Sequence, residues 1–546
     1  MKTYLMKTLY FFVALLLGNL TQLQSQSFIL QQKLIQPDPF AGDNYGNSID
    51  VTGDLMIIGD PSDYNDLAGS FTTFTSGAAY IYRRDTDGIW NFEQKLVFPN
   101  RPRQVDYGYE VEIDGDYAFV SAIFGDFSTS EEQLLDPGNL FIYKFNDQTT
   151  TWDLWQSLEA PVRETRAYYG MDFSYQNGTL IVGESWQTRD PNNPGAAVNA
   201  AGVVHVYNLN SGSGKFELVQ SLVAPDRSPQ AAFGYSVDFD GDKLIIGAAR
   251  ERHEINGQAI NLGGSSYYYQ KDASGIFNFV QKIVPDNVAS GDFYGLTTTI
   301  SADLMAVSAP FKNITNSSGT WFKQGLVYLY KYDTVTNSWS EIEQITTTSL
   351  GGNMWYGHDM DLEGNRLVVS SYQDRFMGPS GFLTPAGAFW LHELSTDGTV
   401  VNSSQVSALD QNPSSFVSEF GYSCAISGNI VVVGAPDNEY DLNDDFTNEE
   451  SGAAFVYKLD QTAGSRESVT PAISIYPNPA KSTLNVNAET DFFSYSIQDL
   501  TGKEVLQGKN HRSMEAIPLD DLASGLYFIN VEFLDYKEVI KFIKIQ

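Results

Sequence analysis

The densest set of side chains that could do chemistry is acidic and lies late in the chain. Asp437, Glu439, Asp441, Asn443, Asp445 and Glu449 fall in one short stretch. Asp441-x-Asn443-x-Asp445 puts oxygen donors on alternate residues, and Glu449 supplies a later carboxylate. A tight loop with that alternation can wrap one hard cation. Calcium, at Asp441, Asn443, Asp445 and Glu449, is therefore the one cofactor the sequence suggests. Phe446 stands where such loops carry a turning glycine, so the same residues also read as a solvated acidic loop. Asp60, Asp63, Asn65 and Asp66 form a sparser set, and Asp240-Gly241-Asp242 is better explained as a hairpin turn.

Nothing comparable supports catalysis, and no catalytic residue is assigned. His205, His253, His358, His392 and His511 show no ligand spacing, and His205 and His392 sit inside strand patterns. There is no G-x-S-x-G elbow, phosphate loop or H-E-x-x-H helix. Asn313-x-Thr315 and Asn316-x-Ser318 fit an N-glycosylation pattern.

The elements that position these residues repeat. An aromatic followed by glycine recurs at Tyr45, Tyr107, Tyr169, Phe233, Tyr294, Tyr356 and Phe420, with spacings of 62, 62, 64, 61, 62 and 64. A fixed period over this many copies indicates a repeat architecture. Each copy reads as four short strands, A to D. A opens at the aromatic-glycine pair, B is an apolar run such as Leu244–Gly247, and C begins at a glycine such as Gly264. D starts at Trp90, Trp152, Phe216, Phe277 or Trp339, and the sixth copy has only a weak D pattern near Val401–Leu409. Four strands per repeat predict a seven-bladed β-propeller, an all-β fold.

The seventh copy lacks a D strand, while Phe28–Leu34 is an orphan that matches Trp90–Leu96. It is expected to close the ring as the outer strand of the last blade, beside Gly452–Tyr457. The A–B turns are tight, and the B–C loops are long and polar. Binding is expected on the B–C face, where loops from a rigid scaffold gather. Phe71, Phe74, Phe127, Trp186, Trp321 and Phe376 lie in those loops, where each could equally fold back on its own blade.

From residues 27 to 460 the pattern resembles the FG-GAP repeats of the integrin α-subunit propeller and its bacterial relatives. Phe233-Gly234 and Phe420-Gly421 match one half of that motif and Gly434-Ala435-Pro436 the other. The resemblance implies that a B–C loop can carry calcium. From residue 466 the period breaks. Tyr476-Pro477-Asn478-Pro479, Asp499-Leu500-Thr501-Gly502-Lys503, Ser524-Gly525-Leu526-Tyr527 and the terminal strand through Lys541–Lys544 follow in order. This tail, residues 466–546, resembles the type A C-terminal sorting domain of the type IX secretion system of Bacteroidota. Alternation predicts a small β-sandwich. The resemblance implies the secretion machinery as a partner, passage across the outer membrane, and removal of the tail with release or surface attachment.

Composition agrees with export. Lys2 and Lys7 precede the apolar run Leu9–Leu17 and a polar exit, the pattern of a signal peptide over residues 1–26. No other stretch approaches a membrane span. The propeller is then residues 27–465. Cys424 is alone, so no intrachain disulfide is available, and a buried inert thiol is expected. The net charge of -34 repels nucleic acid and suits a soluble monomer. The expected function is non-enzymatic binding or adhesion to an extracellular protein or glycan through the B–C face. The alternatives are a secreted polysaccharide hydrolase or lyase, which convergent acidic side chains around the central channel would favour, and a purely structural surface component.

Overall fold

A computed structural model describes residues 27–65, 67, 76–99, 105–125, 127–128, 133–316, 319–347, 352–377, 383–408, 419–439, 451–460, 474–476, 480–498, 503–519, 522–532 and 537–545. The chain separates into two compact units, residues 1–461 and 462–546. Among the described residues all regular elements are strands.

Among the described residues the first unit contains seven four-stranded antiparallel sheets. Blade 4 is representative, with strands Phe233–Asp240, Lys243–Ala248, Ser265–Lys271 and Phe277–Ile283 in sequence order across the sheet. Blades 1, 2, 3, 5 and 6 repeat that order. The sixth D strand is complete, Val400–Ser407, despite its weak pattern. In blade 7, Ser27–Leu34 pairs antiparallel with Ala453–Asp460, from Ser27 opposite Asp460 to Leu34 opposite Ala454. Its register slips between Leu30 and Gln32. The D strands of blades 1 to 5 slip at the matching place, as at Ile81/Tyr82 and Tyr268/Tyr269. The N-terminal strand is thus a D strand in its bulge as well as its partner.

Three devices join the blades. The first is close backbone approach. Gly77, Gly202 and Gly264 bridge to the aromatic that opens the next blade, and Gly452 bridges to Tyr45 of blade 1. A Cβ at Gly108 would collide with the Ala78 carbonyl, and the glycine after the opening aromatic is kept in every copy, whereas the place of Gly59 is taken by Ser121, Ser308 and Ser370 in blades 2, 5 and 6.

The second lies on the outer rim. Gln94 in a D strand donates its amide to the Trp152 carbonyl at 2.8 Å and accepts the Trp152 N–H at 2.8 Å. Gln156 holds Phe216, Gln220 holds Phe277 and Gln281 holds Trp339 in the same way. Gln32 of the N-terminal strand grips Trp90 identically, at 2.9 Å in both directions, which clasps blade 7 to blade 1.

The third lies on the inner edge and lines the channel described below. Within blades, the choice of Tyr or Phe before the glycine follows from its partner. The Tyr45, Tyr107, Tyr169 and Tyr294 hydroxyls bond to Tyr82, Tyr143, Tyr207 and Tyr330 of the C strands at 2.7–2.9 Å. Tyr356 meets His392 at 2.6 Å. A buried hydroxyl needs such a partner. In blade 4 Phe233 has none to offer, and Tyr269 instead reaches the Val223 carbonyl at 3.1 Å.

The B–C connections are more regular than their polarity suggests. Those of blades 2 to 6 contain two-stranded ribbons, such as His253–Ile255 with Gln258–Ile260. Asn256 and Gly257 turn that ribbon with φ of 53° and 77°, the left-handed pair that an Asn-Gly hairpin provides.

Among its described residues the second unit is one hydrogen-bonded set of five strands. Its longest strands, Thr483–Gln498 and Glu504–Pro518, lose register between Asn487 and Phe492. Its core takes Leu484, Val486 and Ile517 from one side of that break and Ile497, Ile529 and Val531 from the other. No helix among the described residues is long and apolar enough to cross a membrane.

Candidate functional site

The inner ends of the seven A strands enclose a channel of about 370 Å³. Asp50, Glu110, Glu112, Asp172, Asp238, Asp359 and Asp361 line it. An A strand is a sheet edge whose inward N–H groups have no partner in their own blade. Side-chain oxygens of the preceding blade accept them. Asp50 accepts from Ile113 N–H at 2.7 Å, Asp172 from Val237 at 2.7 Å and Asp238 from Ile300 at 2.8 Å. Asp359 accepts from Cys424 at 2.8 Å, Asp361 from Ile426 at 2.7 Å and Glu112 from Tyr175 at 2.8 Å. Ser48 and Ser236 serve the same purpose for Val111 and Thr298.

Burial in this wall pushes Asp50, Asp172, Asp238 and Asp359 up to about 7 and Asp361 to about 6, against the pull of the N–H bonds. Glu110 and Glu112 are also raised by burial, then by repulsion from Asp172 and Asp50 respectively. These side chains still touch channel solvent, so the protein mass lowers the local dielectric without sealing them off.

Sequence reasoning passed over this ring. Its signal was alternation after the glycine, as in Tyr109-Glu110-Val111-Glu112 and His358-Asp359-Met360-Asp361. Cys424 is buried there, with its thiol raised first by burial and then by Asp359.

At the B–C end the channel meets aromatic side chains. Burial raises the Tyr109 hydroxyl, and the Tyr235 and Tyr422 hydroxyls raise it further, so the three converge. Around them runs a collar. Phe124 packs on Tyr168 at 5.4 Å between ring centres, and Tyr168 on Trp186 at 6.0 Å. The Arg250 guanidinium lies 5.0 Å from the Trp186 ring and 6.0 Å from that of Phe293. Phe293 meets Phe311 at 5.1 Å, Phe311 meets Trp355 at 5.0 Å, and Trp355 meets Tyr372 at 5.2 Å. Tyr372 continues to Tyr422 at 5.1 Å and His358 at 4.5 Å. The collar links blades 2 to 7, and all its rings except Tyr372 are partly exposed. Arg250 Nε and Trp355 Nε1 are buried behind these rings without a hydrogen-bond partner.

Three collar residues occupy a costly backbone position. The residue before the aromatic-glycine pair is left-handed in six blades: Asp106, Tyr168, Ala232, Phe293, Trp355 and Glu419, with φ between 47° and 58°. The scaffold imposes this conformation, because even Ala232 adopts it. Glycine or asparagine would meet it at least cost, yet the chain places Tyr, Phe and Trp there.

Of the loop aromatics expected on this face, Trp186 joins the collar and Trp321 ends a ribbon strand, partly buried. Phe71 and Phe74, and the side chains of Phe127 and Phe376, lie outside the described residues. So do the candidate calcium ligands Asp441, Asn443, Asp445 and Glu449, together with Asp66. Asp60, Asp63 and Asn65 are buried near one another in blade 1. Among the described residues, no three acidic, histidine or cysteine side chains are grouped so as to hold a metal ion. His205 is paired with Glu184 at 3.0 Å, and burial pushes it down to about 3.

A family model of the FG-GAP repeat matches residues 28–82, 216–269 and 410–457, and one of the secretion system C-terminal sorting domain matches residues 474–546. The chain carries FG-GAP repeats and a type IX secretion sorting tail. That tail directs the FG-GAP propeller through the type IX system to the cell surface or the extracellular space. No curated protein matches the sequence. Among solved structures, Sqt1 of Saccharomyces cerevisiae is similar at 8% identity and a TM-score of 0.39, over 95% of this chain and 99% of that one. A Bacteroides uniformis protein with a provisional 6-phosphogluconolactonase designation aligns at 8% identity and a TM-score of 0.43, over 69% and 88%. A protein of unknown function from Desulfotomaculum acetoxidans aligns at 12% and 0.37, over 69% and 95%. At these scores none of the three bears on what the propeller does.

Proposed function

We propose that this secreted propeller is a non-enzymatic binding protein, an adhesin for an extracellular protein or glycan, and that the aromatic collar on the B–C face is its contact surface. The observation that carries this reading is the use of Tyr168, Phe293 and Trp355 at left-handed positions. Strain held at a surface site, where a cheaper residue would serve the fold, points to function. Partly exposed rings offer flat apolar area at low entropy cost. An array of glycans and extracellular proteins probed with the full chain tests the reading. Binding that Trp355→Ala abolishes and Val335→Ala spares supports it, because Val335 lies 91% exposed in a C–D turn at the other face.

The hydrolase or lyase reading draws on the channel, where four carboxylates pushed to about 7 have the acidity suited to a general acid near neutral pH. Those carboxylates already hold neighbouring blades together through backbone N–H groups. Binding is therefore the reading the geometry supports better. Turnover of a polysaccharide that is lost in Asp172→Asn would reverse that preference.

A further inference from the structure

Blade 1 departs from its siblings where its B strand ends. Asp43, Asp60 and Asp63 are each 0% exposed, and Gln36 is 2% exposed. Lys95 Nζ bridges Asp38 at 2.7 Å and Asp63 at 2.8 Å, and Tyr80 also bonds Asp63. Blade 4 has the same arrangement, with Lys282 bridging Asp226 at 2.6 Å and Glu251 at 2.8 Å beside Tyr267. Blade 4 has Ala231 and Ala248 where blade 1 has Asp43 and Asp60. Blade 1 therefore buries two extra carboxylates with no extra ammonium.

Blade 5 shows what the scaffold does with one of them. Asp292 stands at the place of Asp43 and accepts the Ala289 N–H at 2.7 Å, as Asp43 accepts that of Phe40 at 2.8 Å. Lys312, at the place of Asp63, reaches Asp292 at 2.7 Å. In blade 1 the equivalent lysine is missing, and what remains is a set of orphaned acceptors. Asp43 Oδ1, Asp60 Oδ2 and Gln36 Oε1 are buried without a partner. The Gln36 amide bonds Asp43, and Asn44 N–H bonds Asp60 Oδ1 at 2.9 Å, so the three side chains adjoin. Buried carboxylates left uncompensated are strongly unfavourable.

We propose that blade 1 binds one hard cation of the calcium class, held by the Asp43 and Asp60 carboxylates with the Gln36 amide oxygen as a neutral donor. The donors are all oxygen, the set that selects calcium or magnesium over softer metals. A bridging water could satisfy two of the acceptors but would bring no positive charge to the two carboxylates. These residues are separate from the Asp441-to-Glu449 loop, and the cation's task is to stabilise the blade that receives the ring closure.

The test is calcium binding by the full chain, stripped of metal, with elemental analysis and a melting curve with and without calcium. The variants are Asp43→Ala/Asp60→Ala, which reproduces the blade 4 pattern, and Asp445→Asn. We expect the wild type to bind calcium and gain at least about 2 °C in Tm at saturation. The double variant should lose one calcium per chain and the Tm gain, and Asp445→Asn should keep both. If the double variant does not fold, Asp60→Asn is read the same way. Calcium equal in wild type and blade 1 variants, no calcium in either, or loss only in Asp445→Asn overturns the proposal.

Discussion

Asp238 of blade 4 accepts the Ile300 N–H of blade 5 at 2.8 Å, and this one bond shows how the ring is held from inside. The acceptor belongs to one blade and the orphaned donor to the next. Removing the acceptor strands a donor, whereas replacing it by an amide keeps an oxygen in place. Asp238→Ala should destabilise the propeller by about 1–3 kcal/mol, and Asp238→Asn by much less. Denaturant melts of the two variants check this, and equal losses would refute the bond's role.

The same wall sets the pH dependence of stability. Asp50, Asp172, Asp238 and Asp359 are pushed up to about 7 in the folded state, against about 4 when unfolded. The folded chain thus binds protons more tightly than the unfolded one. Their contribution is full below about pH 4 and is lost as pH rises through about 7. Tm should climb as pH is lowered from about 8 to about 5. An Asp238→Asn/Asp359→Asn variant should climb less. A flat or falling Tm over that range would contradict the assignment.

Ring closure rests on the N-terminal strand. Leu34 is 5% exposed in a core with Trp90 and Val456, and Phe28 packs on Phe389 at 5.0 Å. Leu34→Ala should cost about 2–5 kcal/mol. Deleting residues 27–34 leaves the edge of Ala453–Asp460 open and should produce self-association visible by size exclusion. A monomer with unchanged Tm would mean that the ring closes without this strand.

The collar predicts a trade of function against stability. Trp355 has φ of 58°, a conformation that asparagine tolerates better. Trp355→Asn should keep or raise Tm by up to about 1 kcal/mol equivalent while weakening ligand binding. A variant that loses stability and keeps binding would show that the indole serves packing.

How far the sequence revealed this follows from what each signal depends on. The repeat was legible because the place of Gly108 admits no side chain and because each buried Tyr needs its hydroxyl partner. The orphan strand was legible because Gln32 must play the same part as Gln94. The inner carboxylates were not, since Asp172 and Asp238 look like ordinary polar positions until the next blade supplies the donors. The collar was only glimpsed through Trp186. Its other members come from two connections per blade that lie far apart in sequence, such as Phe293 and Phe311 against Trp355.

The most direct measurement is binding of the full chain to its best array ligand, compared among wild type, Phe311→Ala/Trp355→Ala and the opposite-face control Val335→Ala. The account predicts at least about a tenfold loss for the collar variant, with unchanged Tm-corrected folding and no loss for the control. Equal affinity in all three would contradict it.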